Sequence, residues 1–412
     1  MREAKVRTAS AVLIWIVLIV SVTAWRKGVY FEGSFDSVVI AKAALQGAAL
    51  AMALLLKRAS PVAHPVAGGP LLAVLAVLAV SMIGALEAGG TTASAVLAVR
   101  IVLLAVTMVL MVSAFPREEV LTHLVVAIGI VGAVLAITGV GTIGSGGRLE
   151  GTLLPISPNG LIVLCAIPAL AAIQRVISGR ATVGAVVAAC FFTLACVATQ
   201  SRTALLGLAI ACVVLIVSVR TIQRYVAVVL AAAVPALFAV AVYTTFFGSL
   251  LNRKGSVSLF TLNSRTIAWQ VVLQTPFESL QKWVGAGLSV KTVHVQGQYW
   301  NDQVLDSSWI SALAQTGLVG TAVLAVLVTV VLVVNIRGGR RNALPVALLV
   351  FILIRSFLET GLLDASVTFM VFIALASMFV PRPGGSTEGE QSPGIAAVPR
   401  ASVVDRSYQQ TS

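Results

Sequence analysis

Gly317-Leu-Val-Gly-Thr-Ala-Val-Leu-Ala-Val-Leu-Val-Thr-Val-Val-Leu-Val-Val-Asn-Ile336 contains no charged side chain. As a helix it rises about 30 Å, the thickness of a bilayer's hydrocarbon core. The run is continuous rather than alternating, which excludes a membrane β-barrel. The apolar stretch starts earlier, near residue 308, so it is longer than a bilayer needs. Its first turns are expected to tilt or to stand above the membrane.

Similar runs recur along the chain. Of 412 residues, 58% are hydrophobic and only 10% charged, and the mean hydropathy is +1.01. Soluble domains carry about 25% charged residues. The segments are approximately 9–25, 38–56, 70–86, 93–114, 120–140, 160–176, 181–199, 203–219, 225–247, 308–336, 343–358 and 363–380. The fold class is therefore all-α: a polytopic membrane protein of about twelve transmembrane helices, with residues 1–380 as the membrane-embedded domain. No small-residue cleavage site follows the first run, since Trp25-Arg26-Lys27 comes next. It reads as an uncleaved first span.

Basic residues give the orientation. With the N-terminus inside, the inner loops hold Lys57 and Arg58, Arg117, Arg175 and Arg180, Arg220 and Arg224, and Arg337, Arg340 and Arg341. That alternation fits twelve spans with both termini cytoplasmic. Residues 381–412, rich in Pro, Gly, Ser and Gln, read as a disordered cytoplasmic tail. The net charge of +13 is accounted for mainly by the inner loops rather than by nucleic-acid binding. Cys165, Cys190, Cys196 and Cys212 lie inside apolar runs without metal-ligand spacing.

Several arginines fall on the outer side instead. Translocating Arg is disfavoured, so an outer face that keeps Arg148, Arg202, Arg253, Arg265 and Arg355 has a use for them. The planar guanidinium fork matches phosphate. Arg148 lies in Gly144-Ser-Gly-Gly-Arg148-Leu-Glu-Gly151, ahead of Pro158-Asn159. The glycines suit close approach to an anion or a plain flexible turn, and Asn159 suits a helix cap. Arg202 occupies the short turn Gln200-Ser-Arg202-Thr203, where it points along the rim or into the bundle, or snorkels to headgroups. The long outer loop, about 248–306, holds a helical pattern from Leu262 to Gln274. Asn263 or Ser264 would cap this short surface helix, Arg265 opens it and Pro276 ends it.

Carboxylates complete the set. Asp306 begins Asp306-Ser-Ser-Trp309 at the outer mouth of the tenth span, as an N-cap, a reactive group or both. Arg355 and Glu359 are four residues apart and share a helix face, as a structural ion pair or a functional one. Arg100 and Lys42 fall inside spans and are expected to face a wet cavity or a carboxylate. His294, in Val293-His-Val-Gln-Gly297, is a free loop histidine or a proton acceptor; His64 and His123 lie toward the cytoplasmic side.

Four stretches in order resemble the O-antigen ligase and polymerase family, membrane glycosyltransferases of the C type. They are Arg148-x-x-Gly151 with Pro158-Asn159; Ser201-Arg202-Thr203-Ala-Leu-Leu-Gly207; Arg265-x-x-x-Trp269 with Gly285-x-Gly287; and Asp306-Ser307, nine residues, then Gly317-x-x-Gly320. The resemblance runs from about Arg148 to Glu359. It implies a glycan donor carried on undecaprenyl diphosphate at the outer face of the bacterial cytoplasmic membrane, and a glycan acceptor. It leaves room for other polysaccharide-assembly membrane proteins as partners.

The resemblance makes Arg148, Arg202, Arg265 and Arg355 the diphosphate ligands. Asp306, Arg265 and Glu359 become the catalytic candidates. No Asp-x-Asp motif occurs in the long loop, in keeping with a metal-independent enzyme that needs no cofactor. The family's ligases carry His where Asp306 stands, a departure that points to a polymerase before a ligase. A transporter or flippase of lipid-linked glycan is the alternative of another class.

Overall fold

The computed structural model describes residues 2–26, 37–60, 62–144, 147–219, 263–295 and 302–378. The helices are α1 (Arg2–Val22), α2 (Ser37–Arg58), α3 (Gly69–Ala88), α4 (Thr91–Ala114), α5 (Arg117–Thr138), a short α6 (Gly141–Gly144), α7 (Pro158–Ile177), α8 (Val183–Ala198) and α9 (Arg202–Ser218). After the start of the long loop come α10 (Asn263–Leu273) and α11 (Leu280–Val284). Next is a hairpin of β1 (Thr292–His294) and β2 (Asp302–Val304), followed by α12 (Ser308–Arg337), α13 (Ala343–Ser356) and α14 (Val367–Ser377). Each expected span has its helix except 225–247, which lies outside the described residues, as do Arg220, Arg224, Arg253 and the tail.

Among the described residues, seven helices are long and apolar enough to cross a membrane; α8, α9 and α14 are shorter apolar helices. The chain is thus an all-α polytopic membrane protein. The last span is the main departure from expectation. Segment 363–380 shrinks to the eleven residues of α14, every one buried. Protein rather than lipid surrounds it, so the irregular backbone before it (357–366) can satisfy its polar groups inside the bundle.

Neighbours in sequence pack mostly as neighbours in space. Helix α1 lies against α2 and α5, α5 against α7, and α7 against both α8 and α9; α9 packs on α13, α12 on α3 and α14 on α4. At the end carrying the N-terminus, Arg7 donates to Ser60 Oγ and to the Ala114 carbonyl, and its guanidinium stacks 4.5 Å from the Phe115 ring. Lys57 Nζ donates to the Ser113 carbonyl at 2.7 Å. These cations take up carbonyls that the end of α4 leaves without helical partners.

The long α12 is broken. Gly317 has φ 62° and ψ −167°, a conformation open in practice only to glycine. The break strips carbonyls in the preceding turn of their helical donors, and the long loop supplies replacements. Ala286 N–H donates to Ala314 O at 2.9 Å and Gly287 N–H to Gln315 O at 3.1 Å. Ser81 Oγ adds a second donor to Gln315 O at 2.9 Å.

The crossing is reciprocal. Gly285 is itself at φ 77°, ψ −168°, and a Cβ there would sit 2.3 Å from Gln315 C. A Cβ on Gly317 would sit 2.2 Å from Trp283 C, and one on Gly84 of α3 would sit 2.3 Å from Gly285 O. The two glycine pairs noted in the sequence, Gly285-x-Gly287 and Gly317-x-x-Gly320, therefore meet. The upper part of α12, 308–316, is set off from the membrane-length remainder, which accounts for the run's excess length.

Gly317→Ala and Gly285→Ala should each cost at least about 1–3 kcal/mol, seen as a lowered thermal unfolding midpoint of the detergent-solubilised protein. Gly68→Ala, where nothing lies within 4 Å of the added Cβ, should leave the midpoint unchanged. Equal midpoints for all three would show that this crossing does not hold the fold.

Candidate functional site

The end of the bundle opposite Arg7 and Lys57 gathers the loop after α6, the α8–α9 turn, the start of α12 and the segment after α13. Leu149, 2% exposed, anchors the first of these, and its N–H donates to Ala198 O at 3.0 Å. This fixes Arg148, whose Nε donates to the Thr199 carbonyl at 2.8 Å and whose Nη2 donates to Asn159 Oδ1 at 3.1 Å. In the same turn Gln200 has φ 51°, the sole positive φ of a non-glycine residue among those described. Such a backbone costs on the order of 1–3 kcal/mol and persists only when its surroundings impose it. The turn exposes the Thr199 carbonyl to Arg148 and starts α9 at Arg202, in its first helical position.

Asn159 does not cap α7. Ser157 does, its Oγ accepting from Gly160 N–H at 3.3 Å. The Asn159 amide is instead a bridge: Oδ1 accepts from Arg148, and Nδ2 donates to Glu359 Oε1 at 2.6 Å. Only this orientation suits both neighbours, because the flipped amide would face NH2 to guanidinium and oxygen to carboxylate.

Arg355 closes the group from below. Its Nη2 donates to the Asn159 carbonyl at 2.9 Å, and its Nη1 to Thr360 O and Thr368 Oγ1, each at 3.3 Å. One expectation changes here. Helix α13 ends at Ser356, so Glu359 sits in the turn beyond it rather than on a shared helix face; the Arg355–Glu359 approach is 3.9 Å. Arg355, expected as a diphosphate ligand, is 6% exposed, and its Nη atoms donate to two internal carbonyls and one hydroxyl while Nε has no hydrogen-bond partner. That engagement makes it a brace for Asn159 and for the turn holding Glu359.

The start of α12 joins the same group. Ser308 accounts for the Glu359 carbonyl twice, through its N–H at 3.1 Å and its Oγ at 2.8 Å. Trp309 Nε1 donates to Ser356 Oγ at 3.0 Å. The cap of α12 is Ser307, whose Oγ accepts from Ile310 N–H, so capping is not the role of Asp306. Asp306 stands half-buried two residues before Ser308.

Helix α10 carries Arg265 in its first turn, with its side chain outside the described residues. Ala268 and Val272 of that helix pack with Leu305, next to Asp306, against Ile310 and Leu313. His294, exposed on β1, lies 3.3 Å from Asp302 Oδ1 on the paired strand. Lys291 pairs with Asp364, tying the hairpin's base to the segment before α14.

The structure therefore brings together Arg148, Asn159, Glu359 and Arg355 by direct contacts. Asp306 and Arg202 sit on the adjoining backbone, two and three residues from partners of that network. His294 stands apart with Asp302. Among the described residues, no group of three or more His, Cys, Asp and Glu side chains comes together as a metal site would require.

Residues 185–325, from within α8 to within α12, match the model of a family described as O-antigen ligase. The match covers well under half of the chain and marks this stretch as similar to that family. It supports glycan transfer of the O-antigen ligase and polymerase type in general. No curated protein matches the chain. The matched stretch contains Arg202, Arg265, Asp306 and both glycine pairs, whereas Arg148, Asn159, Arg355 and Glu359 flank it. Arg148, Asn159 and Glu359 meet only through the fold.

Sequence reading missed Ser308, Thr199 and Lys291 as structural partners. Ser308 and Thr199 act in part or wholly through hydrogen bonds to backbone atoms, which side-chain patterns do not reveal.

Asn159→Ala should destabilise the protein by about 1–3 kcal/mol, because Glu359 and Arg148 each lose a hydrogen-bond partner in a nearly dry setting. Asn159→Asp should be worse, since it sets a second carboxylate against Glu359. Thermal unfolding of both variants in one detergent checks the order; an Asp variant as stable as wild type would remove the bridge from the account.

Proposed function

We propose that the protein polymerises undecaprenyl-diphosphate-linked oligosaccharide repeat units into cell-surface polysaccharide at the outer face of the cytoplasmic membrane. The observation that supports this most is Arg148, held at one rim by Asn159 and Glu359, at the end opposite the basic loops. On the positive-inside rule that rim faces outward.

In this reading Arg148, Arg202 and Arg265 bind the donor's diphosphate. The acceptor hydroxyl oxygen attacks the anomeric carbon, and the bond from that carbon to the phosphate oxygen breaks. The electron pair leaves with the lipid diphosphate. Guanidiniums stabilise the charge that grows there, in place of a divalent cation. Asp306 takes the hydroxyl proton. Glu359 and Arg355 position Asn159 and, through it, Arg148.

Ligation to a different acceptor is the second reading, since it shares every step except the source of the hydroxyl. Asp306 in place of the ligases' imidazole favours polymerisation. A transporter is disfavoured, because the residues linked to Arg148 gather at one end of the bundle.

The test is reaction of purified full-length protein with an undecaprenyl-diphosphate oligosaccharide, followed by product sizing. Wild type should give a ladder of longer lipid-linked oligomers. Arg148→Ala and Asp306→Asn should each lower the rate by about 10²-fold or more, while Arg180→Ala, at the other end, should not. A wild-type protein that yields no oligomers but glycosylates a separate acceptor would establish ligation instead. Unchanged rates in both rim variants would remove the assigned roles.

A further inference from the structure

A second cationic cluster lies where α2 packs against α1 and α4, apart from the Arg148 network. Arg100 is nine residues past the start of α4, about 14 Å along the helix axis. Its side chain makes two hydrogen bonds, Nε to Gln46 Oε1 and Nη2 to the Ser21 carbonyl, both at 3.4 Å. Both are long for charged donors, which normally close to 2.7–2.9 Å or so. No carboxylate among the described residues pairs with Arg100. Gln46 is fully buried, and its Nε2 has no hydrogen-bond partner. Lys42 stands one turn nearer the rim on the same face of α2, its Nζ 6.0 Å from the Trp25 ring.

Capping α1 does not account for this arrangement. The Ser21 carbonyl needs one donor, and a buried unpartnered amide beside a guanidinium without a counter-charge is costly in a bilayer. What Arg100 and the Gln46 amide lack is an anion rich in acceptor oxygens. Arg100 and Lys42 are partly exposed rather than enclosed, and Val99, next to Arg100 on α4, is 58% exposed. An anion borne on a lipid can reach these cations from the bilayer side. An Arg leaning toward its helix N-terminus meets it near headgroup depth.

We propose that Arg100, Gln46 and Lys42 form a second site for a lipid-borne phosphate, separate from the diphosphate site at Arg148. Polymerisation joins two lipid-linked glycans, so the cluster is suited to the diphosphate of the acceptor. That assignment of the lipid rests on the proposed function; the site itself does not.

The experiment titrates undecaprenyl diphosphate into full-length protein in phosphatidylcholine nanodiscs, with bound lipid counted by native mass spectrometry. Wild type should bind two equivalents. Arg100→Gln and Gln46→Leu should each weaken one of them about tenfold or more, as expected for loss of a charge-assisted hydrogen bond. Lys42→Gln, nearer the surface and mild for folding, should weaken the same one. Arg148→Ala should weaken the other.

If phosphatidylglycerol displaces the Arg100-dependent equivalent, the site stands as a phospholipid site. If it does not, the site stands as the acceptor's. Two undiminished equivalents in Arg100→Gln, Gln46→Leu and Lys42→Gln overturn the proposal. Two undiminished equivalents in Arg148→Ala overturn the donor assignment instead.

Discussion

The exchange of hydrogen bonds between a broken helix and a loop is what the rest of the structure depends on. A helix interrupted at Gly317 leaves carbonyls inside the protein that need donors from elsewhere in the chain. Ala286 and Gly287 serve them, and they reach close enough because Gly285 and Gly317 have no side chains where the two backbones cross. The loop is thereby fastened to α12 and α3 together. The hairpin and α10 then follow: Gln315 Nε2 donates to Val290 O at 3.0 Å, and Leu305 N–H to Lys291 O at 3.0 Å. Asp306 inherits its position from this chain of contacts, since it lies between Leu305 and the cap of α12.

The rim network works by a related rule. Its guanidiniums are aimed by backbone carbonyls, Thr199 for Arg148 and Asn159 and Thr360 for Arg355, rather than by tight ion pairs. A close carboxylate would neutralise an arginine and compete with any anionic ligand. A carbonyl orients it and leaves its full charge in place. Glu359 is linked to Arg148 through the Asn159 amide. That amide and the Thr199 carbonyl set the direction in which Arg148 points.

Much of the fold was legible because apolar length is a strong signal. Helices α2 to α5 and α7 to α9 fall within a few residues of the runs that announced them, α1 overlaps its run, and the basic loops sort the ends. The short elements were not legible. Three-residue strands such as Thr292–His294 carry too little alternation to read. Helix α14 gave a long apolar run because its flanks are buried in protein, which looks the same in composition as burial in lipid. At the site, Arg148 and Glu359 were recognisable as unusual charges. Their link through Asn159 was not, since an Asn after Pro158 at a helix start looks like a cap. The burial of Arg355 was not legible either: its place near the end of a span suggested access to solvent, while the turn after α13 folds back over it.

Helix α14 carries one more consequence. Eleven residues rise about 16 Å, roughly half the hydrocarbon thickness. A helix this short in contact with acyl chains would force the bilayer to thin around it. Enclosed by its neighbours, it feels no such tension. Membranes of differing thickness would strain the lipid-facing helices, α2 foremost, while the axis on which Thr368 meets Arg355 keeps its length.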